Sequence, residues 1–226
     1  HLIIRAGQLA HMGTHAHCDQ MSFELSINKF PVFVDRGTYV YLSDPEKRNL
    51  YRGTIAHNVL SVNGAEQNRA QVRAGGKLFG FFDETQTSVL NANEQEVTVR
   101  HTGFKELMRK DIAHKRSFVL PEGEEMLEIC DEVEGLEDGD SGEWFFHLAP
   151  GIEVELEEHT VALRKGSSFI CRMAFPEKFS CHKVRFDHSP SYGCMQRADA
   201  LFFTKKFQKS DFPYKAYFVI SWEVKR

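Results

Sequence analysis

"SFELSINKFPVFVD", residues 22–35, shows the alternation of apolar and polar side chains from which the fold class follows. Phe23, Leu25 and Ile27 lie two positions apart, so in an extended chain all three point to one face. A polar Asn-Lys pair separates them from a second apolar run, Val32 to Asp35. The stretch therefore predicts two β-strands connected by a turn.

Segments of this kind, separated by Gly, Asn, Asp and Pro, continue along the chain. The predicted strands are Leu2–Ala6, Ser22–Ile27, Val32–Asp35, Thr38–Leu42, Val59–Val62, Lys77–Asp83, Thr87–Ala92, Val97–His101, Ala113–Leu120, Met126–Val133, Glu143–Leu148, Thr160–Arg164, Ser168–Met173, His182–Phe186, Ala200–Thr204 and Ala216–Glu223. No segment has the apolar period of a three-turn amphipathic helix, and about fifteen strands exceed one ordinary sheet. We therefore predict an all-β domain over residues 1–226, a large antiparallel two-sheet β-sandwich.

Composition argues against several classes of protein. The 226 residues carry 28 basic and 32 acidic side chains, a net charge of −4, so no nucleic-acid partner is expected. No apolar run reaches the roughly 18 residues of a transmembrane helix, so no membrane partner is expected either. The chain begins at "HLIIRAGQL" without a methionine, which suggests a cut within a longer protein.

Two features of the later chain lead to local predictions. The five cysteines form no CxxC pair, which argues against a zinc ribbon and against a small disulfide scaffold. If any two are bridged, we expect Cys171 and Cys181, because the chain around Pro176 can return as a hairpin. The acidic stretch 134–143 has the composition of an exposed hairpin loop.

Three side chains with metal-binding atoms, His15, His17 and Asp19, occupy alternate positions ahead of the first strand pair. In an extended segment they would share one face. Asp35 ends an apolar strand and His57 precedes another, so His17, Asp35 and His57 form a competent zinc set of two imidazoles and one carboxylate. The alternative is that these three are unrelated polar residues at strand ends.

Two other metal sites fit the same residues less fully. An iron dioxygenase would use His17, Asp19 and His57 as a facial triad, but only these three residues match that pattern. A cupin would also present His-x-His on a barrel strand, but Glu24 follows too late to be the cupin glutamate.

Residues 13–69 resemble the signature of the heparinase II/III-like family of polysaccharide lyases. The matching elements, in order, are His-x-His-x-Asp, Ser-Phe-Glu-Leu, Val-Asp-x-Gly-Thr-Tyr and Arg-Asn-x-Tyr-Arg-x-Thr-x-Ala-His-Asn. "LIIRAG", "EWFFHLAPG" and "HSPSYG" are similar to that family as well, so the resemblance spans most of the chain.

The resemblance implies an antiparallel β-sandwich that follows an α/α-toroid domain in the full enzyme. It implies one bound Zn²⁺, with ligands at His17, Asp35 and His57. The family reaction is β-elimination at a uronic acid, so the resemblance implies an acidic polysaccharide partner, met in the periplasm or at the cell surface of a bacterium. His15 matches the family's catalytic histidine, while a Tyr and an Asn or Glu of the toroid share the chemistry.

The segment between Asp35 and His57 is rich in aromatic and basic side chains, which can stack on sugars and bind uronate or sulfate oxygens. We predict Tyr51 as a second catalytic residue; the alternatives in this segment are that Tyr39 or Tyr41 is a core residue and that one arginine pairs with Asp44 or Glu46. The predicted substrate-binding residues are Tyr41, Arg48 and Arg52. Asp19 and Asn58 are predicted to hold the ligating histidines by hydrogen bonds.

Other histidines are predicted to be ordinary, with His147 a hydrogen-bonded core residue. A second function class stays open: a carbohydrate-binding or structural β-sandwich that keeps the metal without catalysis. An iron-dependent oxidase on a β-scaffold is a third.

Overall fold

The computed structural model describes residues 1–9, 15–70 and 80–223. Fifteen strands lie within these ranges. They are β1 (Leu2–Ile4), β2 (Phe23–Ile27), β3 (Phe30–Phe33), β4 (Leu60–Val62), β5 (Ser88–Ala92), β6 (Glu96–His101), β7 (Ala113–Val119), β8 (Met126–Glu134), β9 (Ser141–His147), β10 (Glu153–Leu156), β11 (Thr160–Lys165), β12 (Ser168–Ala174), β13 (Ser180–His188), β14 (Gln196–Lys206) and β15 (Tyr214–Trp222). Residues 77–79 of the predicted strand Lys77–Asp83 lie outside the described ranges.

The strands form three antiparallel sheets. Eight are ordered β10-β11-β12-β15-β8-β7-β6-β5, four are ordered β13-β14-β9-β4, and three are ordered β1-β2-β3. The two smaller sheets meet where the backbone of β3 pairs with the end of β9: Val34 N–H donates to His147 O over 3.0 Å, and Ala149 N–H donates to Val32 O over 2.9 Å. Together they form one layer opposite the eight-stranded sheet.

Aromatic side chains fill the space between the two layers. The rings of Phe23 in β2 and Phe118 in β7 have centroids 5.6 Å apart, and those of Phe203 in β14 and Phe218 in β15 are 5.3 Å apart. Trp144 of β9 is fully buried in the same core. The all-β, antiparallel sandwich predicted from the sequence is confirmed.

Helices are few among the described residues: α1 (Pro45–Arg52), α2 (Lys105–Met108) and two 3-10 turns, Thr54–Ala56 and Lys209–Asp211. Helix α1 begins with a capping aspartate, since Asp44 Oδ1 accepts the Lys47 N–H over 3.0 Å, and Pro45 stands in the first turn. The sequence of this helix has no amphipathic apolar period. The position of the helix is determined by the Asp44 cap and by the contacts of its buried face. No helix in the described ranges is long and apolar enough to cross a membrane.

Several local predictions are wrong. Thr38–Leu42 is a loop. Strand β10 was not predicted, because it is only four residues long and two of them are glutamates. The stretch 134–143 does not form a hairpin, because β8 and β9 lie in different sheets and the chain crosses between the layers. Its Leu136 and Asp140 are buried.

The predicted Cys171–Cys181 bridge is also wrong, since all five cysteines are free thiols. Cys171 lies in β12 of the eight-stranded sheet, whereas Cys181 lies in β13 of the four-stranded sheet. The segment around Pro176 therefore crosses between layers and does not form a two-stranded hairpin.

Candidate metal centre

The segment from His15 to Ser22 is a loop and not an extended segment, the condition under which His15, His17 and Asp19 would share one face. His15 has a left-handed backbone, with φ 61°, and β2 begins only at Phe23. The loop is tied down by backbone bonds, of which one runs from Cys18 N–H to Arg52 O over 2.9 Å. The shared face of His15, His17 and Asp19 was thus inferred from the wrong backbone geometry.

His17, Asp35 and His57 nevertheless converge. One ligand atom from each lies within 4.8 Å of the other two. His57 Nδ1 and Asp35 Oδ2 are 2.5 Å apart, while His57 Nε2 is buried without a hydrogen-bond partner among the described residues. Two imidazoles and one carboxylate, with an unpaired buried nitrogen, fit the donor set of a zinc site that keeps one position for water or substrate.

The turn after β3 holds Asp35 in place. Gly37 N–H donates to Asp35 Oδ1 over 2.7 Å, and His188 Nδ1 lies 3.0 Å from the Asp35 carbonyl oxygen. Gly37 has a left-handed backbone, with φ 87°, and a Cβ there would collide with the carbonyl oxygen of Ser189. Glycine is required at this position for both reasons.

The electrostatics favour the ligating protonation states of two of the three residues, His17 and Asp35. Burial, together with the positive charges of His57 and Arg48, lowers the pKa of His17 to about 3. Burial alone would raise the pKa of Asp35, but the charge of His57 and its hydrogen bond bring it down to about 2. Near neutral pH, His17 is therefore neutral and Asp35 ionised, as metal ligands must be. The pKa of His57 is raised: burial opposes the shift, and the Asp35 charge outweighs it.

A chain of contacts leads from the three candidate ligands to the surface. Arg48 Nη1 lies 2.8 Å from His17 Nε2, and because a guanidinium can only donate, His17 Nε2 is the acceptor. The same guanidinium lies 5.1 Å from the centre of the Tyr41 ring. Tyr41 meets the exposed His15 edge-on at 5.4 Å and stacks on Tyr192 at 5.8 Å. Tyr192, in the loop after β13, was not found from the sequence.

Tyr51 and Arg52 lie on α1 together with Arg48, and all three side chains are buried. Tyr51 is 1% exposed, and its ring is stacked on Tyr39 at 5.6 Å and covered by the Arg36 guanidinium at 4.5 Å. Arg52 is buried over the ring of Phe81. Both residues are packed inside this domain, and their roles in catalysis and substrate binding stay predictions.

Asp19 and Asn58 contact other partners than the ligating imidazoles. Asp19 Oδ1 lies 3.5 Å from Arg5 Nε, and burial raises the pKa of its carboxyl. Asn58 donates to the carbonyl oxygens of Phe23 and Val34 over 2.7 and 3.1 Å, and its Oδ1 accepts the His147 N–H over 2.6 Å. Asn58 thus ties together β2, the end of β3 and β9. The His147 ring is hydrogen-bonded in the core as predicted: it is 2% exposed, and Nε2 lies 3.0 Å from a backbone carbonyl oxygen.

A second buried polar cluster supports this centre from the eight-stranded sheet. Arg116 forms a bidentate pair with Asp131 over 2.7 and 2.8 Å, and both side chains are fully buried. Its remaining nitrogen, Nη1, donates to Asn58 O over 2.7 Å and to Met21 O over 3.0 Å. Arg116 therefore holds the backbone beside His57 and the loop that carries His17.

The sequence did contain a signal for this cluster. Arg116 has the same parity as Phe118 along β7, and Asp131 stands between Ile129 and Val133 along β8. Alternation therefore placed two charged side chains on the core-facing sides of two strands, where an unpaired charge is costly.

Comparison with known proteins finds one family model and several solved structures that are similar to this chain. The model described as "Heparinase II/III-like, C-terminal" matches residues 1–211. Among solved structures, the heparinase III that is the BT4657 gene product is 20% identical, with a TM-score of 0.74 over 100% of this chain and 33% of its own. The heparan sulfate lyase HepC from Pedobacter heparinus is 15% identical, with a TM-score of 0.75 over 100% and 33%. No curated protein matches.

The chain thus spans about a third of the length of these solved structures. At identities of 20% and 15%, the likeness shows the shared fold and no more.

Proposed function

Since the chain belongs to the heparinase II/III-like family, as its C-terminal domain, we propose that it is the metal-containing wall of a lyase that cleaves uronic-acid polysaccharides by β-elimination. The convergence of His17, Asp35 and His57 beside the exposed His15 is the observation that supports this proposal. The two solved relatives named above are a heparinase III and a heparan sulfate lyase, so we propose heparan sulfate as the first substrate to test.

The reaction makes three chemical demands. The uronate carboxylate has to be neutralised, the proton on C5 removed, and the departing glycosidic oxygen protonated while the C4–C5 double bond forms. His15 can neutralise the carboxylate or take the proton, because its imidazole is exposed at the edge of the site. Tyr41 fixes the His15 ring from one side, and Arg48 orients His17. A zinc ion would supply a fixed positive charge that organises this wall.

The proposal assigns the remaining groups to polypeptide beyond this chain, in the family's N-terminal α/α-toroid. The chain covers about a third of each solved relative, which supports that division. One wall of a cleft neither orients the polymer nor shields it from water, and lost orientation alone can remove about 7 kcal/mol of barrier reduction. Residues 1–226 by themselves should therefore be almost inactive. We propose the bacterial periplasm or cell surface as the location, from the family resemblance alone.

The test is the rise in ultraviolet absorbance from unsaturated uronate when the native protein containing this chain meets heparan sulfate, alginate or an acidic capsule polymer. We expect His15→Ala to lower kcat at least about 100-fold, the usual scale for loss of an acid–base group. The matched control is His159→Ala, whose side chain is 40% exposed and lies before β11. It should leave kcat within about twofold of the wild type.

Metal content provides a separate measurement. X-ray fluorescence should find zinc in the purified chain, and His17→Ala should remove it while His159→Ala retains it. A native protein that holds zinc yet cleaves no uronate polymer would overturn the lyase proposal and favour the carbohydrate-binding module. Iron in place of zinc would instead favour an oxidase.

A further inference from the structure

We propose that Tyr192, stacked on Tyr41, forms a sugar-binding platform that holds a non-reacting pyranose of the acidic polysaccharide next to the reacting uronate. The proposal rests on the proposed function, because it names the occupant as a neighbouring residue of the same polymer. Tyr192 lies in the "HSPSYG" stretch but was not predicted as a site residue, and it is not one of the three candidate ligands.

The stacking geometry supports the platform. The Tyr41 and Tyr192 rings are 29° from parallel, with centroids 5.8 Å apart. Tyr192 is 63% exposed although its ring packs on Tyr41, so much of the ring is accessible to solvent. The apolar C–H groups of a pyranose face can pack on such a surface, which carries the negative side of the ring quadrupole.

The platform is aligned with the candidate catalytic residue. Tyr41 contacts Tyr192 on one side and the edge of His15 on another, and the Arg48 guanidinium lies 5.1 Å from the Tyr41 ring centre. A polymer lying across Tyr192 therefore reaches His15 within two ring-to-ring contacts. The Arg48 guanidinium is fully buried beside Tyr41, so it does not touch the polymer but adds a positive charge under this surface, which suits a polyanion.

The loop that carries Tyr192 is fixed to the same turn that carries Asp35. Ser189 N–H donates to Arg36 O over 2.8 Å, and Gly193 N–H donates to Tyr39 O over 2.8 Å. These bonds hold both ends of the short segment around Tyr192 to the Asp35–Tyr41 stretch. A platform fixed before binding loses little conformational freedom when the sugar arrives.

Tyr217 provides a matched control. It is 53% exposed, comparable with Tyr192, but it lies on β15 in the eight-stranded sheet and its hydroxyl is paired with the Cys130 thiol. Truncation of either tyrosine removes a similar exposed ring, so a difference between the two variants reports position and not the loss of a tyrosine.

The first experiment measures retardation of the chain in native gels containing heparan sulfate. We expect Tyr192→Ala to raise the apparent Kd about tenfold, as for a well-placed interface tyrosine. Tyr192→Phe, which keeps the ring, and Tyr217→Ala should stay within about twofold of the wild type. Equal retardation of Tyr192→Ala and wild type, or no retardation of the wild type, would overturn the platform.

The second experiment uses the native protein and separates this inference from the proposed function. With heparan sulfate, Tyr192→Ala should raise KM about tenfold and change kcat by less than about twofold, because the platform holds a sugar equally before and during the reaction. Shorter oligosaccharides should show a smaller effect. A lyase in which Tyr192→Ala keeps the wild-type KM would refute the platform and leave the function standing. An inactive native protein whose binding still depends on Tyr192 would refute the lyase and leave the platform.

Discussion

Two aspartate–histidine pairs lie in the core of this domain, and they differ in how completely the aspartate is neutralised. In the first, His57 Nδ1 is 2.5 Å from Asp35 Oδ2, and in the second, His114 Nε2 is 2.7 Å from Asp131 Oδ1. Each histidine is almost wholly buried. Residue type and distance alone would give the two pairs the same role.

The surroundings of the two carboxylates separate them. Asp131 is fully buried, and its oxygens accept both arms of Arg116 and the indole N–H of Trp144. Asp35 is 31% exposed and accepts only the Gly37 N–H besides His57 among its described hydrogen bonds. The Asp35 carboxylate can therefore still bind a metal ion, whereas the hydrogen-bonding capacity of the Asp131 carboxylate is used up. A saturated pair stabilises the fold, and an open one can bind a cation.

The largest expected effect comes from breaking the saturated cluster. Asp131→Asn leaves Arg116 buried without its counter-charge, and removal of one partner of a buried ion pair costs about 3–5 kcal/mol. Asp35→Asn should cost less, because Asp35 is partly hydrated. Urea unfolding in the presence of EDTA measures both free energies. A larger loss in Asp35→Asn than in Asp131→Asn would contradict the distinction.

Added zinc should act through the open pair alone. At free zinc about 100 times its Kd, a ligand that binds only the folded chain adds about 2.7 kcal/mol to the free energy of unfolding. We expect this gain in the wild type and in His114→Ala, whatever the starting stability of that variant, and no gain in His17→Ala. If the gain disappears in His114→Ala, the metal binds at the Asp131–His114 pair and not at Asp35 and His57, which would contradict the prediction.

Lowering the pH should produce the smallest change in the free energy of unfolding per residue involved. Burial lowers the pKa of His101 and of His114, where Asp131 opposes the shift and Arg116 adds to it. The unfolded chain therefore binds more protons below about pH 6.5, and the free energy of unfolding should fall by about 1.4 kcal/mol per pH unit for each such histidine.

The raised pKa of His57 acts in the opposite direction, since a protonated His57 paired with Asp35 stabilises the fold below its unfolded pKa. Burial also lowers the pKa of His17 and His147 to about 3, so in the described part of the chain the destabilising effect of acid outweighs the contribution of His57. Urea curves at pH 7.5 and 5.5 in EDTA measure the net change. Equal stability at both values would show that these histidines are not buried in the neutral form.

The sequence could predict what period-two alternation and ligand chemistry determine. Strands such as β7 and β8 lie within one residue of their expected bounds. Donor chemistry proposed His17, Asp35 and His57 as one of several possible ligand sets, and the family resemblance singled it out. Helix α1 was missed, because its capping by Asp44 carries no apolar period.

Other features depend on contacts between segments that are distant in the chain. The shared face of His15, His17 and Asp19 assumed an extended segment, because the left-handed turn at His15 leaves no trace in an alternating pattern. The bond from Arg116 to Asn58 O joins residues 58 positions apart, from β7 to the turn before β4. Parity along β7 marked Arg116 as inward-facing, but only the folded chain shows which carbonyl it meets.

The loop between β13 and β14 is attached to the Asp35 turn by main-chain atoms: Ser189 N–H to Arg36 O, and Gly193 N–H to Tyr39 O. Most side chains of such a loop can be exchanged without loss of these attachments. Residues 190–192 therefore form a segment whose side chains can be varied while the Asp35 turn keeps its geometry, as is common for loops carried on a rigid scaffold.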